Sequence, residues 1–469
     1  MTFPRILSIL CAAAFGLLRA VSHAAPQKPN IIFILSDDVG LGDVHCTGGP
    51  FKTPNIEAMA QGGTRFQFCY AAPLCGPSRC EILTGRYPFR TGHNSNGSAN
   101  SVSPEKEVMI PTVMKKAGYA TASAGKWGQI CLGPKEWGFD EHIVFKGSGR
   151  YWNTQLRSYN VNGEDRPLKD GEYIPDLLHN FAVDFITRHK DGPFFLYYPM
   201  SSIHGPILRT PDSKPDASKD QLYADNVEYM DKMVGKLMAE LDRLHLREKT
   251  LVLFAGDNGT ARFGRDAATV DGKAISGMKA SMLEGGSRVP LVVNWPGTTP
   301  AGKVSQDLID FSDFFGTFAQ LGVAPLPENV ILDSHSFAPQ LKGEASTPRE
   351  WAYVELGGQN YVRDARYKLT GKGELFDLKN APFEEIAVPT TADDAGAVAS
   401  RAKLQAVLND HVAKEGNGGK AERKNKKGKK GKGKKKRAMR TPPASTTAPG
   451  TTAAPNINPE APAPAKKAR

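Results

Sequence analysis

The sequence predicts an α/β fold, in which helices sandwich a large, mixed but mostly parallel sheet and a small C-terminal α+β subdomain follows. Four continuous apolar runs have strand length and lie at residues 30–36, 194–200, 250–255 and 289–295. Such runs are typical of central strands that are covered on both faces. Helical patterns alternate with these runs along the chain, which favours parallel strands joined by crossover helices.

The first half of the chain predicts alternating strands and helices. Strands are expected at 30–36, 64–70 and 119–124, and helices at 54–61, 78–83, 111–117 and 174–189. Pro54 suits the first turn of its helix, and Gly118 ends the helix that precedes it.

The second half continues this alternation as far as residue 340. A strand is expected at 194–200, a long amphipathic helix at 221–246, and further strands at 250–255 and 289–295. Met230 and Met233 share the apolar face of the long helix, and we interpret them as core residues.

The pattern changes near residue 341. Antiparallel strands are expected at 351–356 and 361–370, with a third at 374–378 and a helix at 397–412. Beyond residue 415 the composition becomes Lys- and Gly-rich and then rich in Pro, Ala and Thr, and such a segment cannot bury enough apolar surface to fold. We therefore expect a large α/β domain at 25–340, an α+β subdomain at 341–415 and a disordered tail at 416–469.

The positive charge of the chain is concentrated in this tail. The formal net charge is +11, and residues 420–469 contribute sixteen Lys and Arg against two Glu, or +14, which leaves the remainder at −3. Charge alone would allow the tail to bind nucleic acid. Because the N-terminus carries an export signal, we expect no nucleic-acid partner and either a solvated tail or one attached loosely to anionic polysaccharide or the cell envelope.

The N-terminus has the pattern of a secretory signal peptide at 1–24. Arg5 forms the positive start, residues 6–18 are apolar, and the segment ends in Ser22-His23-Ala24, which suits cleavage. The apolar run is too short to span a membrane, although an uncleaved anchor or a buried helix is the alternative. We expect export to the periplasm or the extracellular space and no transmembrane segment.

The chain contains six cysteines. Cys11 leaves with the signal peptide, and Cys75 has a separate context. The remaining four could form two disulfides in an oxidising compartment or stay as buried thiols; they are Cys46, Cys69, Cys80 and Cys131.

Polar residues follow the predicted strands at the points where these strands end. Asp37 and Asp38 come directly after 30–36, and Asp257 and Asn258 follow 250–255 closely. Either pair alone could belong to an ordinary turn or helix cap. Ligands of open α/β sheets bind beyond the carboxyl ends of the strands, and three carboxylates with one amide oxygen form a set suited to Ca²⁺ or Mg²⁺.

Cys75 lies in the run Cys-Gly-Pro-Ser-Arg, which is followed by four residues and then Thr84-Gly85. Gly76 and Pro77 favour a turn, and Ser78 is expected to cap the helix that follows. A thiol near a helix start and Arg79 lies in a positive field and is reactive, whereas the simpler interpretation is an ordinary cysteine in a turn.

This run resembles the signature of the type I, formylglycine-dependent sulfatases of the alkaline phosphatase superfamily. The contexts Leu-Ser-Asp-Asp-Val-Gly-Leu-Gly-Asp and Ala-Gly-Asp-Asn-Gly resemble two further motifs of that family. The resemblance implies that Cys75 is converted to formylglycine, whose hydrated aldehyde is the nucleophile. It also implies one divalent cation per chain, Ca²⁺ rather than Mg²⁺, whose ligands would be Asp37, Asp38, residue 75, Asp257 and Asn258.

The resemblance assigns the remaining catalytic residues. Lys126 in Gly-Lys-Trp and Lys279, which precedes a Glu-Gly-Gly-x-Arg-x-Pro segment, would bind sulfate together with Arg79. His204, or alternatively Lys279, would assist the departure of the alcohol. Many relatives carry a histidine two residues after the first lysine, where this chain has Gly128. Residues 147–152 could line the substrate pocket or form an ordinary surface loop.

The resemblance predicts an exported sulfuric ester hydrolase, similar to arylsulfatases, with sulfated carbohydrates as the favoured substrates. A formylglycine-generating or anaerobic maturation enzyme would be its second partner. The alternatives are a phosphoester or phosphonate hydrolase of the same superfamily, and a catalytically silent protein that binds a cation and a glycan.

Overall fold

The computed structural model describes residues 28–127 and 129–428, with side chains described as far as residue 411. Its strands are β1 (Asn30–Ser36), β2 (Thr64–Tyr70), β3 (Ala120–Lys126), β4 (Glu141–Phe145), β5 (Ser158–Val161), β6 (Glu164–Pro167), β7 (Phe194–Pro199), β8 (Thr250–Gly256), β9 (Thr269–Val270), β10 (Lys273–Ala274), β11 (Arg288–Asn294), β12 (Lys303–Asp310), β13 (Ala352–Leu356), β14 (Gln359–Arg363), β15 (Tyr367–Thr370), β16 (Leu375–Asp377) and β17 (Ile386–Val388). Its helices are α1 (Pro54–Gln61), α2 (Cys75–Thr84), α3 (Pro88–Thr91), α4 (Ile110–Lys116), α5 (Ile174–Arg188), α6 (Lys219–Arg243), α7 (Glu284–Ser287), α8 (Asp313–Leu321), α9 (Ala338–Leu341) and α10 (Ala395–Gly428).

The large sheet has ten strands in the order β12-β2-β11-β8-β1-β7-β3-β4-β5-β6. Its centre, from β8 to β4, is parallel, and β11 is antiparallel to both of its neighbours. Ile32 of β1 lies opposite Leu196 of β7 and Val252 of β8, and all three are fully buried. The predicted mixed, mostly parallel sheet is confirmed.

Helices cover both faces of this sheet. Side chains of β1 alternate between the two faces, so that Ile32 and Ile34 pack against α1, α5 and α6, while Phe33 and Leu35 pack against α2, α4 and α8. Because each face of β1 is buried, every one of its residues has to be apolar or paired, as the continuous apolar run predicted.

A second sheet of five antiparallel strands runs from β13 to β17 in sequence order. Tyr353 and Leu369 of this sheet form a small core with Leu404 and Leu408 of α10. The predicted C-terminal α+β architecture is confirmed, and both sheets lie in one compact unit. The boundary between residues 340 and 341 stays a prediction.

The structure differs from the predictions at several elements. β4, β5, β6, β12 and α8 were not expected, since their short or mixed patterns give weak signals. α10 continues to Gly428, beyond the expected end at 412 and into the expected disordered tail, because Lys, Glu, Ala and Arg favour a helix. The predicted signal peptide and the rest of the tail lie outside the described residues.

The cysteines of the described part are all free thiols; they are Cys46, Cys69, Cys75, Cys80 and Cys131. Of the helices within 28–127 and 129–428, none combines the length and hydropathy that a membrane span requires.

Arg349 holds a buried polar junction between α8 and the C-terminal sheet. Its Nε donates to Asp313 Oδ2 at 2.9 Å, its Nη1 to the Tyr87 hydroxyl at 3.0 Å and its Nη2 to the Asp333 carbonyl at 2.9 Å. The side chains of Arg349 and Asp313 are both almost completely buried. Loss of the guanidinium would therefore leave the Asp313 carboxylate buried without its cation.

We expect Arg349→Leu to lower the free energy of unfolding by about 3–5 kcal/mol, the usual cost of breaking a buried ion pair. Urea denaturation measures the loss. The matched control is Arg366→Leu, which removes an exposed ion pair with Asp377 and should change stability far less. Equal losses in the two variants would contradict the role of the junction.

Candidate active site

Five of the predicted site residues lie at the carboxyl edge of the large sheet, and all are buried: Asp37, Asp38, Lys126, Asp257 and Asn258. Asp37 and Asp38 follow β1, Lys126 ends β3, and Asp257 and Asn258 follow β8. These strands all run in the same direction through β7. The side chains converge because the carboxyl ends of parallel strands meet at one edge.

Two lysines neutralise the carboxylates that follow β1. Lys126 Nζ donates to both carboxylate oxygens of Asp37, at 2.8 and 2.7 Å. Lys279 Nζ lies 2.5 Å from Asp38 Oδ1 and reaches it from the loop before α7. Lys126 is fully buried, whereas the Lys279 side chain is 16% exposed, so solvent reaches only the second of the two.

Arg79 neutralises the third carboxylate. Its Nε and Nη2 donate to Asp257 Oδ2 at 3.0 and 2.8 Å, and its Nη1 donates to the Lys126 carbonyl at 3.2 Å. These contacts hold the Asp257 carboxylate in place, and the predicted role of Arg79 in binding sulfate stays a prediction. We call the six joined side chains the charge cluster: Asp37, Asp38, Asp257, Arg79, Lys126 and Lys279.

Arg79 and Lys279 stay protonated in spite of their burial. Burial acts to lower the pKa of Arg79, but Asp257 and the other neighbouring charges outweigh it and raise that pKa. Burial likewise opposes the charge of Lys279, and Asp38 and Asp37 raise the pKa of this lysine above its usual range. Both side chains therefore keep their positive charge around neutral pH.

Cys75 is the first residue of α2, and Leu74 is the N-cap. The prediction that Ser78 caps the helix is wrong: its backbone N–H already donates to the Leu74 carbonyl, and its hydroxyl donates to the Asp257 carbonyl at 2.5 Å. Pro77 lies in the first turn of α2. Its missing backbone N–H costs little there, because the first N–H groups of a helix have no partner within the helix. All of α2 is buried, so Cys75 lies at the positive end of a desolvated helix.

His204 lies next to Asp38. Its Nδ1 contacts the Gly205 carbonyl at 2.7 Å, and its Nε2 lies 3.8 Å from Asp38 Oδ2. The carbonyl requires a proton on Nδ1, so Nε2 is the nitrogen directed into the site. The ideal Cβ of Gly149 would lie 3.0 Å from His204 Nδ1, which places the 147–150 loop directly against the histidine.

The predicted metal residues fit a divalent cation. One ligand atom each from Asp37, Cys75 and Asp257 lie within 4.8 Å of one another. Asn258 Oδ1 is buried, and it has no hydrogen-bond partner in the part of the chain that the structure describes. Such an oxygen costs about 1–3 kcal/mol when unpaired, and it is the type of ligand that Ca²⁺ or Mg²⁺ takes.

The structure also places four residues at the site that the sequence did not predict: His93, Asn96, Gln129 and Phe263. Asn96 Oδ1 accepts from the Gly76 N–H at 2.9 Å, and the ideal Cβ of Gly76 would lie 3.1 Å from His93 Nε2 and from Gln129 Cβ. Phe263 packs on Gly205. These residues lie in loops without periodic patterns, so the sequence carries no signal that would have found them.

Comparison with known proteins identifies the family. The family model described as Sulfatase matches residues 29–322, which is more than half of the chain. The chain belongs to the sulfatase family. This places it in the alkaline phosphatase superfamily and confirms the predicted enzyme class, a sulfuric ester hydrolase.

Relatives match over most of their length. The chain is 35% identical to N-acetylgalactosamine-6-sulfatase of Canis lupus familiaris over 78% of this chain and 74% of the relative. It is 33% identical to arylsulfatase A of Homo sapiens over 78% of both chains. The crystal structure of Ps i-CgsB in complex with k-i-k-neocarrahexaose is similar with a TM-score of 0.72 and 29% identity, covering 82% of this chain and 94% of that one.

We expect Asn258→Ala to weaken Ca²⁺ binding roughly tenfold or more, since it removes a proposed ligand oxygen and the donor that orients Asp38. Isothermal titration calorimetry with Ca²⁺, repeated with Mg²⁺, measures the affinity. Asn294→Ala is the matched control, because Asn294 is also buried with an unpaired Oδ1 but donates to Met59 instead. Equal affinities in wild type and Asn258→Ala would contradict the metal assignment.

Proposed function

We propose that this chain is an exported sulfatase that hydrolyses sulfate esters of carbohydrates, using a formylglycine made from Cys75 and a bound Ca²⁺. The observation that carries the proposal is the position of Cys75. Its side chain is fully buried at the start of α2, and carboxylate oxygens of Asp37 and Asp257 lie within 4.8 Å of its Sγ. A nucleophile at this point lies beside the residues that are proposed to bind Ca²⁺ and beside the lysines that are proposed to attract sulfate.

Asp37, Asp38, Asp257 and Asn258 would hold the cation together with residue 75. A set built wholly from protein oxygens favours Ca²⁺, because Mg²⁺ normally keeps several waters. When present, the hydrated formylglycine supplies two hydroxyls, one that attacks sulfur and one that later expels sulfate, and the cation supplies a Lewis acid.

The remaining catalytic roles fall to side chains of the charge cluster. Asp257, whose carboxylate is fixed by Arg79, takes the proton of the attacking hydroxyl. Lys126 and Lys279 bind the sulfate oxygens and stabilise the negative charge that develops on them. Lys279 is the more exposed of the two lysines, so it meets the substrate first.

His204 acts on the departing alcohol. Its Nδ1 donates a hydrogen bond to the Gly205 carbonyl, and its Nε2 is directed toward Asp38. The His204 side chain is 25% exposed, which lets it contact the part of the substrate that remains outside the buried cluster. In its doubly protonated form, His204 donates the proton on Nε2 to the ester oxygen as the S–O bond breaks.

A sugar ring is the proposed neighbour of the sulfate. Phe263 is 51% exposed, and the ideal Cβ of Gly205 would lie only 2.5 Å from its ring, so the ring rests directly on the residue after His204. An exposed aromatic face at this point suits the apolar face of a sugar. The names of two similar proteins, an N-acetylgalactosamine-6-sulfatase and one bound to k-i-k-neocarrahexaose, support the same substrate class.

Burial of Cys75 limits when it can be modified. The whole of α2 is buried, so a maturation enzyme, of the formylglycine-generating or the anaerobic kind, has to act before the chain folds. Export follows from the signal peptide predicted at 1–24. The basic tail requires no nucleic-acid partner in this proposal.

We expect the peptide containing residue 75, from protein made in a host with the maturation enzyme, to be roughly 18 Da lighter than the cysteine form. The same protein should hydrolyse sulfate esters of sugars and aryl alcohols faster than the corresponding phosphate esters, and Cys75→Ala should abolish both activities. Peptide mass spectrometry and sulfate release measure these outcomes.

The alternatives predict different results in the same assay. Faster turnover of phosphate or phosphonate esters would replace the proposal with the second hydrolase activity. An unmodified Cys75 together with absent turnover, in a host that matures a known sulfatase, would indicate a silent binding protein.

We expect Phe263→Ala to raise the KM for a sulfated disaccharide roughly twofold to tenfold, the loss of one aromatic contact, while kcat changes little. A short alkyl sulfate, which has no ring to stack, should show no change in KM. Phe263→Trp is the matched control and should restore the disaccharide KM. An equal rise in KM for both substrates would show that Phe263 only supports His204.

A further inference from the structure

His93 presents a polar atom that no part of the proposed mechanism uses. The residue lies two positions after the end of α3 and is fully buried. Within the described chain its Nε2 has no hydrogen-bond partner. A buried, unpaired nitrogen of this kind requires an explanation in the form of a ligand, a water or a modification.

The tautomer of His93 can be derived from its other nitrogen. Nδ1 lies 2.9 Å from the Ser98 carbonyl oxygen, which can only accept, so Nδ1 carries the proton. Burial lowers the pKa of His93 and keeps the ring neutral. In the neutral ring Nε2 is therefore an acceptor that lacks a donor.

Asn96 places a hydrogen-bond donor close to His93 Nε2 and to the side chain of residue 75. Its Oδ1 accepts from the Gly76 N–H at 2.9 Å, which fixes the orientation of the amide, and its Nδ2 donates toward Cys75 Sγ at 3.5 Å. The ideal Cβ of Gly76 would lie 3.1 Å from His93 Nε2 and 2.6 Å from Asn96 Oδ1. Only glycine at 76 lets both side chains lie this close to the backbone beside residue 75.

We propose that His93 and Asn96 are positioning residues that hold the hydrated side chain of residue 75, Asn96 donating to one hydroxyl oxygen and His93 Nε2 accepting from an O–H. This inference rests on the proposed function, because only the converted residue carries two hydroxyls. A thiol offers one weak donor and no second oxygen. The acceptor on His93 thus has no partner in the precursor and gains one in the mature enzyme.

These hydrogen bonds hold the second hydroxyl away from the sulfur atom while the first hydroxyl attacks it. The hydrate is also favoured over the free aldehyde, which has no O–H to donate to Nε2. His93 and Asn96 would thus set both the orientation and the population of the nucleophile.

Two substitutions of His93 separate this role from a structural one. His93→Asn retains a donor for the Ser98 carbonyl at the place of Nδ1 but has no atom at the place of Nε2. His93→Gln places an acceptor near the position of Nε2. Both remove the aromatic ring, so they share any loss of packing.

The readout that does not depend on turnover is the ratio of hydrate to aldehyde at residue 75. It is measured by ¹³C NMR of protein whose cysteines carry ¹³C at Cβ, with conversion checked by peptide mass. We expect His93→Asn to lower the hydrate-to-aldehyde ratio several-fold and to lower kcat roughly tenfold to a hundredfold, with KM for an aryl sulfate nearly unchanged. His93→Gln should recover most of the ratio and of kcat.

Other outcomes would overturn the inference. If the wild-type residue is unmodified, both the proposed function and this inference fail. If the wild type is converted and active but the two variants share one hydrate-to-aldehyde ratio and one kcat, the inference alone fails.

A second measurement leaves position 93 intact, in case both variants fail to fold. The ¹⁵N chemical shift of His93 Nε2 should differ between the converted wild type and Cys75→Ala, whose side chain has no O–H to donate. Identical shifts would overturn the inference, because a trapped water would serve Nε2 equally in both proteins.

Discussion

The balance of three buried carboxylates against the buried Arg79 and Lys126 and the partly exposed Lys279 is the constraint on which the site depends. The charge cluster joins the end of β1, the end of β3, the start of α2 and the loop before α7. Removing one member would leave a partner charged and desolvated, which is strongly destabilising. The cluster can exist only because parallel strands bring Asp37, Asp257 and Lys126 to the same edge. The strand pairing that keeps these charges buried therefore also brings together the residues that are proposed to bind a cation and an anionic ester.

The C-terminal sheet contributes to the site through the loop that carries Lys279. The Ser276 N–H donates to the Pro382 carbonyl at 2.8 Å, and Lys368 Nζ donates to the Met282 carbonyl at 3.1 Å. These contacts hold the loop on both sides of Lys279. A lysine on an unsupported loop would lose its position on Asp38, since a long flexible side chain gives up considerable entropy when it is fixed. The α+β region thus stabilises one of the two cations that are proposed to bind sulfate, although it supplies none of the predicted catalytic residues.

The sequence predicted the site residues that follow strands and missed the site residues whose positions depend on loop packing. Asp37 and Asp257 could be found because each follows an apolar run, and the carboxyl ends of such strands meet. Lys279 follows no strand, so its position was accessible only through the resemblance to the family. His93 and Asn96 lie in a stretch of small polar residues whose conformation is decided by contacts with α2, and no periodicity reports such contacts. The start of α2 was misplaced for a similar reason, because Ser78 has the composition of a cap but uses its hydroxyl on Asp257.

The unpaired polar atoms of the site indicate how maturation and stability are connected. Asn258 Oδ1 and His93 Nε2 are both buried without a partner among the described residues. The proposed partner is a cation in the first case and a hydroxyl of formylglycine in the second, and the newly made chain lacks both. An unsatisfied buried group costs about 1–3 kcal/mol. A ligand or modification that satisfies it only in the folded state stabilises that state by linkage. Under the proposed function, the unmodified and metal-free chain folds to a state that is less stable than the mature enzyme, and the groups responsible are those that later position the nucleophile. The arrangement that makes the site reactive is therefore also the reason why it gains stability only when it is complete.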